Sequence, residues 1–218
     1  MTDTSEIIQK VLLWGPGIVF AITLHEWAHG YMASLFGDPT PGRMGRLTLN
    51  PLPHIDWVWT ILVPVLLLYT VGFAFGGAKP VPINPRYFRG SFRVALFCVA
   101  VAGPLMNLLL AAGCALTTRL VMHLPAFFAV PLYGMLEAAI VVNVVLAVFN
   151  LFPIPPLDGG RVLTVLLPLS LGRFWASLDR YGLVVVAILA MSGLMGKIIN
   201  PVTGWFLTLF AGMVTPGH

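Results

Sequence analysis

The chain has 218 residues, of which 58% are hydrophobic and only 9% are charged. Soluble domains carry about 25% charged residues, so this composition excludes a soluble globular protein. It also excludes disordered and collagen-like chains, which need polar or strictly periodic sequences. The net charge of +4 does not indicate nucleic-acid binding, because the basic residues lie between apolar runs, where they act as topology signals. A spanning helix needs about 20 apolar residues, so the length predicts about five to six transmembrane helices in a lipid bilayer.

Apolar runs in chain order define the predicted helices. The runs cover residues 7–36, 57–75, 94–122, 133–152, 181–195 and 202–214, with a shorter piece at 162–171. Asn200-Pro201 is predicted to separate the last two runs. Residues 46–49 alternate with a period of two, a weak strand signal, and the three prolines within 80–85 favour extended chain. We therefore expect an all-α polytopic membrane protein with re-entrant or extended segments near residues 43–50 and 76–86.

The motif HEWAH at residues 25–29 places three polar side chains inside the first apolar run. An ionised group at the centre of a bilayer costs roughly 2.5–3.5 kcal/mol on insertion, so a functional role is expected for such groups. On a helix, His25 and His29 lie one turn apart on one face, and both imidazoles can bind one metal ion. Glu26 lies about 100° around the helix from His25, close enough to take a proton from a water on that metal. This HExxH spacing indicates a catalytic zinc site.

The histidine pair requires a third ligand, because catalytic zinc takes three protein ligands and keeps one position open for water. Asp158 stands out among the eight acidic residues. It follows Pro155-Pro156 and precedes Gly159-Gly160 at the end of an apolar run, and this frame of rigid prolines and small glycines suits the aiming of one carboxylate. The alternative is that Asp158 is the N-cap of the next helix.

HEWAH, followed much later by NLFPIPPLDGG, resembles the site-2 protease family of intramembrane zinc metalloproteases. The segments GRLTLNPLPHID, AKPVPINP and AGPLMN resemble the compact prokaryotic branch of that family, which lacks PDZ and CBS domains. The resemblance implies that His25, His29 and Asp158 bind one Zn²⁺ per chain and that Glu26 is the catalytic base. It implies that Asn150 positions the substrate carbonyl or stabilises the oxyanion. The substrate would be the transmembrane segment of another protein.

A second expectation concerns the directions of the helices. Simple alternation of the runs would place His29 and Asp158 on opposite sides of the bilayer midplane, so the first and fourth runs must point the same way. Residues 57–93 would then begin and end on one side of the membrane. The cytoplasmic side would hold nine basic residues against two outside, compared with eight against three for the other arrangement. The nine are Arg43, Arg46, Lys79, Arg86, Arg89, Arg93, Arg161, Arg173 and Arg180.

The positive-inside rule therefore predicts an active site towards the cytoplasmic side of a prokaryotic cell membrane and an N-terminus outside. No cleaved signal peptide is expected, since the first ten residues lack a basic region and a small-residue cleavage site. Residues 1–218 are expected to form one transmembrane metalloprotease domain. The sequence indicates neither the identity of the substrate nor an oligomeric state.

Other polar residues have alternatives that the sequence leaves open. Asn143 lies two turns from Asn150 and could face the site or bond a neighbouring helix. Asn107 is expected to bond a neighbouring helix, and His54 could contact substrate or backbone. Two other function classes are an ion transporter, which would need an inverted repeat that the sequence lacks, and a non-catalytic metal-binding membrane protein.

Overall fold

In a computed structural model that describes residues 4–62 and 77–214, the described residues fold mainly into helices. The α-helices of the described residues are α1 (Thr4–Leu35), α2 (Thr40–Arg43), α3 (Phe92–Val121), α4 (Ala126–Asn150), α5 (Asp158–Leu166), α6 (Leu169–Ser177), α7 (Asp179–Met191) and α8 (Leu194–Val214). Single 3₁₀ turns occur at Leu52–His54 and Pro85–Tyr87, and a π-helix occurs at Trp57–Leu62. No β-strand occurs in this part of the chain.

Four helices are long and apolar enough to cross a bilayer, namely α1, α3, α4 and α8. The pair α6 and α7, which is bent by 68°, adds a fifth if it counts as one span. The prediction of an all-α membrane protein is confirmed, and these spans reach the lower end of the predicted five to six. Most of the predicted second run, residues 57–75, falls outside the described residues.

Helices α1 and α4 run in the same direction. A Cβ added to Gly134 would lie 2.9 Å from Leu13 Cδ1, and one added to Gly17 would lie 3.0 Å from Ala139 Cα. Residue numbers therefore rise together along the two helices. Helix α3 runs the opposite way beside them, since His29 of α1 lies at Val99 while Ala21, earlier in α1, lies at Asn107.

The residues that follow α1 and the residues that precede α3 are hydrogen-bonded to each other. Arg89 N donates to Phe36 O at 2.8 Å, and Asn84 N donates to Asp38 Oδ2 at 2.6 Å. The chain therefore leaves α1 and enters α3 at one end of the helix bundle, which confirms the predicted common direction of the first and fourth runs.

Small residues allow the spanning helices to pack closely. Ala21, Ala111 and Ala115 are fully buried between them. In membranes, close packing of this kind replaces the hydrophobic driving force that brings helices together in water. One core cluster joins α3, α4 and α8 through Ala111, Ala115, Ile140, Val144, Val148 and Phe210.

Three local predictions were wrong. Residues 46–49 form an irregular loop rather than a strand. Arg46 turns inward in this loop and donates to Lys79 O and Pro80 O. Pro201 lies inside α8, and the chain breaks earlier, at Gly193, whose φ of +72° suits glycine. The short apolar piece at 162–171 divides between α5 and α6.

Candidate metal centre and active site

Three buried side chains converge between α1 and α5. His25 Nε2 lies 3.1 Å from His29 Nε2, and Asp158 Oδ2 lies 3.2 Å from the His29 nitrogen and 3.3 Å from the His25 nitrogen. The three residues are 4–8% exposed. Among the described residues they form the one group of histidine, cysteine and acidic side chains able to hold a metal ion.

This triangle fits a zinc ion. Two atoms bound to tetrahedral zinc at about 2.0–2.2 Å lie about 3.3–3.6 Å apart, close to the spacing of the three donor atoms. Two imidazoles and a carboxylate form the donor set of a catalytic site that leaves one position open. Zinc bound here would be held by His25 and His29 of α1 and by Asp158 at the start of α5.

Helix α3 supports both histidines through two residues that lie eight positions apart on one face. His29 Nδ1 donates to Val99 O at 2.7 Å, and His25 Nδ1 donates to Asn107 Oδ1 at 2.6 Å. Each bond leaves the lone pair of the opposite ring nitrogen, Nε2, free for a metal. Gly103 lies between these two positions, and a methyl group there would overlap His29 Nε2 and lie 2.7 Å from His25 Nε2.

A chain of side-chain amides extends this support to α4. Asn107 Nδ2 donates to Asn143 Oδ1 at 2.8 Å, and Asn143 Nδ2 donates to Ala139 O at 2.9 Å. Both asparagines are almost completely buried. Buried polar groups are stable in such a place only when their bonds are satisfied, so the amide chain fixes the orientation of Asn107 and, through it, that of His25.

Asp158 is aimed by the tight loop that precedes it. Side chains on Gly159 and Gly160 would overlap Leu151 and Pro155, and one on Gly182 of α7 would overlap Pro155 O. The loop therefore packs against bare backbone on both sides. Asp158 is the first residue of α5 and Leu157 is the N-cap, which makes no side-chain capping bond. The N-cap alternative for Asp158 was therefore wrong.

The charge of Asp158 is set by its neighbours. Burial raises the pKa of its carboxyl group, but His29 and His25 lower that pKa more, so the net shift is downward. Arg161 Nη1 lies 3.5 Å from Asp158 Oδ1 on the opposite side of the carboxylate. Asp158 thus has the two histidines at Oδ2 and a cation at Oδ1, an arrangement that suits a carboxylate ligand.

Glu26 and Asn150 line a cavity of about 380 Å³ that reaches His25. The Glu26 carboxylate accepts a hydrogen bond from Val81 N at 2.8 Å through Oε2. Its Oε1 accepts none from the described residues. Asn150 Nδ2 bonds back to Leu146 O within α4 at 2.9 Å. The cavity thus combines a carboxylate, an amide and an imidazole with apolar walls.

The chain has relatives among known proteins, and they decide the family. The model of Peptidase family M50 matches residues 125–193. YwhC of Bacillus subtilis (strain 168), named as a candidate zinc metalloprotease, is 36% identical over 207 residues, which cover 91% of each chain. The chain belongs to peptidase family M50, the site-2 proteases. Two proteins named Rip2, also candidate zinc metalloproteases, are similar to it.

The Rip2 protein of Mycolicibacterium smegmatis (strain ATCC 700084 / mc(2)155) is 30% identical over 202 residues, which cover 90% of this chain and 73% of that protein. Rip2 of Mycobacterium tuberculosis (strain ATCC 25618 / H37Rv) is 29% identical over 194 residues, covering 87% and 68%. No solved structure matches the chain significantly. The M50 assignment confirms the predicted resemblance and makes the protein a zinc metalloprotease, rather than a transporter or a non-catalytic metal-binding protein.

The hydrogen bonds of His54 and Asn143 decide between the alternatives that the sequence left open for them. His54 is buried away from the metal group, and its Nε2 bonds Thr48 O at 2.9 Å. Asn143 bonds Asn107, as the interhelical alternative predicted, while Asn150 lines the cavity.

Sequence reasoning missed four residues of this M50 site: Arg46, Val81, Val99 and Gly103. Two of them act through backbone atoms, which leave no trace in a sequence. Gly103 carried a signal in AGPLMN, where small residues indicated close packing.

Proposed function

We propose that this M50 protease hydrolyses peptide bonds in or beside the transmembrane segments of other membrane proteins. The observation that carries the proposal is the position of the His25, His29 and Asp158 group, buried among candidate spanning helices and adjoining a largely apolar cavity. Ionised groups among spanning helices are costly and usually functional, and a site enclosed by such helices suits a substrate that already lies in the bilayer.

The residue roles follow from the geometry. One zinc ion per chain, held by His25, His29 and Asp158, would polarise the scissile carbonyl and lower the pKa of a water molecule. Glu26 has one carboxylate oxygen bound by Val81 and the other directed to no described partner, so it is suited to take a proton from water and pass it to the leaving amine. Asn150, in the wall of the same cavity, is suited to hold the substrate carbonyl.

Unwinding of the substrate is a necessary step, because a helix hides its carbonyls in its own hydrogen bonds. The segment of residues 77–84 lies outside the helices and lines the cavity at Gly77, Ala78 and Pro80, so its remaining backbone groups could replace those bonds by strand addition. The whole chain would act as one metalloprotease domain, with its active site towards the cytoplasmic side as the positive-inside rule predicts.

The proposal is tested by comparing the wild-type protein with Glu26→Gln in liposomes that contain a mixture of bacterial inner-membrane proteins. New peptide termini are identified by mass spectrometry. We expect termini that depend on wild-type protein, lie in or beside transmembrane segments and disappear with 1,10-phenanthroline. Equal cleavage by Glu26→Gln would exclude Glu26 as the base. Termini confined to soluble loops would contradict an intramembrane substrate.

A further inference from the structure

The segment of residues 77–84, here called the strap, lies across α1 at the catalytic carboxylate. Val81 N donates to Glu26 Oε2 at 2.8 Å. One turn further along α1, Gly30 leaves room for the Val81 side chain, whose Cγ1 would lie 3.1 Å from a Cβ at that position. Val81 is 6% exposed. The strap is therefore bound to α1 by one backbone amide and one buried side chain, both at the face that carries Glu26.

Arg46 holds the strap through its backbone carbonyls. Its Nη2 donates to Lys79 O at 2.7 Å and to Pro80 O at 3.1 Å, and its Nη1 donates to Pro53 O. Arg46 is 7% exposed, and no described acidic residue forms an ion pair with it. A buried cation without a counter-charge is costly, so its hydrogen bonds to carbonyls must be kept.

Arginine suits this position for a geometric reason. Its planar fork of five donors can reach carbonyls on two separate segments, whereas lysine offers a single point of charge. Lys79 N also donates to His54 O at 2.9 Å, so the residues just before Val81 are tied to the 52–54 turn both directly and through Arg46.

Asp38 fixes the other end of the strap. Its carboxylate is 1% exposed and accepts Asn84 N at 2.6 Å and Thr40 N at 2.9 Å. Arg46 thus holds the backbone just before Val81, and Asp38 holds the backbone after it. The amide that binds Glu26 is fixed on both sides.

We propose that Arg46 is a positioning residue for the catalytic base: by fixing Lys79 and Pro80 it places the Val81 amide, which orients the Glu26 carboxylate. The inference rests on the proposed role of Glu26. The strap does not contact the zinc ligands through any hydrogen bond of the described residues, so the loss of Arg46 disturbs the base and leaves metal binding intact.

Arg46→Ala is the first test, measured with a fluorophore–quencher transmembrane peptide that carries a central Gly-Gly pair, in detergent. We expect kcat to fall about 10- to 100-fold, the size of effect that a misplacement of about 1 Å produces. The KM should change much less, and zinc content should stay at the wild-type level. Arg46→Lys should recover part of kcat, and millimolar guanidinium should partly rescue Arg46→Ala. Arg43→Ala, which removes an exposed arginine of the same loop, is the matched control and should keep wild-type kcat.

A pair of variants isolates the Val81 amide. Val81→Ala keeps the N–H and loses packing on Gly30, whereas Val81→Pro loses the N–H as well. We expect kcat to fall more for Val81→Pro than for Val81→Ala. Hydrogen exchange adds a readout that needs no substrate: Arg46→Ala should speed exchange in residues 77–84 and leave residues 95–120 of α3 unchanged.

The outcomes separate this inference from the proposed function. Wild-type kcat and exchange in Arg46→Ala, together with an inactive Glu26→Gln, would overturn the positioning role and leave Glu26 as base. Loss of zinc in Arg46→Ala would also overturn the inference, because the residue would then act on the fold of the metal site. An active Glu26→Gln would overturn the proposed role of Glu26 itself.

Discussion

Gly103 shows how a single residue without a side chain shapes the metal site. Its Cα faces the two ligand nitrogens so closely that a methyl group would overlap His29 Nε2. Protein interiors are close-packed and absorb such an overlap only by moving side chains or backbone. Because both histidines are held at Nδ1 by α3 itself, neither ring can move away without breaking a hydrogen bond.

Gly103→Ala should therefore bind zinc about 100-fold more weakly than the wild type, the upper end of what losing a supporting group costs a metal site. Zinc per chain, measured by mass spectrometry during competition with a chelator, checks this. Gly113→Ala in the same helix meets no atom within 4 Å and should bind zinc normally. A Gly103→Ala variant with wild-type zinc affinity would contradict the described geometry.

Asn107 acts on the metal through His25. Asn107→Ala removes the acceptor for His25 Nδ1 and also removes the donor to the buried Asn143 Oδ1. We expect zinc affinity to fall about 10- to 100-fold. Asn143→Ala, one bond further from the metal, should have a smaller effect. Chelator competition on the two variants makes the comparison, and an equal or larger loss in Asn143→Ala would argue against transmission through Asn107.

At the scale of elements, α7 clamps the loop that carries Asp158. Gly182 packs against Pro155 O, and a Cβ added to Gly182 would lie 2.7 Å from Pro156 Cδ. Loop and helix therefore meet at backbone distance, and Leu157 packs with Val186 of α7 in a small core cluster. The position of the third ligand thus depends on a helix that supplies no ligand.

Gly182→Ala should destabilise the protein by about 1–3 kcal/mol, the usual cost of an overpacked site, and should weaken zinc binding. Thermal unfolding in detergent measures the first effect. Gly204→Ala on α8 meets no atom within 4 Å and should leave the unfolding temperature unchanged or slightly higher, because alanine favours helix over glycine. Equal unfolding temperatures for the two variants would contradict the clamp.

At the scale of the whole molecule, the chain leaves α1 and enters α3 at one end of the bundle, so residues 36–38 and 84–89 lie together there. The hydrogen bond between Phe36 and Arg89 and the antiparallel course of α3 establish this. The turn at residues 122–125 then lies at the other end. The positive-inside rule predicts that the end of the bundle with Arg43, Arg46, Arg86 and Arg89 faces the cytoplasm.

Single cysteines in a variant that lacks Cys98 and Cys114 test this arrangement. Met44→Cys and Arg86→Cys should react with an impermeant maleimide only in inside-out vesicles, and Leu124→Cys only in right-side-out vesicles; all three positions are exposed. The cysteine-free parent is the control for background labelling. Reaction of Met44→Cys and Arg86→Cys from opposite sides would contradict the placement of both segments at one end of the bundle.

The sequence alone determined the class of protein, the three spanning helices α1, α3 and α4, and the residues proposed for the chemistry. Composition places the chain in a bilayer, and against an apolar background His25, Glu26 and His29 are conspicuous because lipid penalises ionised groups. The spacing of those three residues is local, within one helical turn, so periodicity suffices to relate them. Asp158 was found through its unusual proline and glycine neighbours.

Only the tertiary structure decided what surrounds those residues. The bonds of Val99 O to His29 and of Val81 N to Glu26 use backbone atoms separated by 70 and 55 positions in the chain, and any residue type supplies such atoms. The inward turn of Arg46 was hidden for a related reason: an alternating pattern reads as a strand, whereas burial of the guanidinium depends on carbonyls brought by another part of the loop. Packing of the whole chain decides which distant backbone groups meet. A local pattern of side chains does not contain that information.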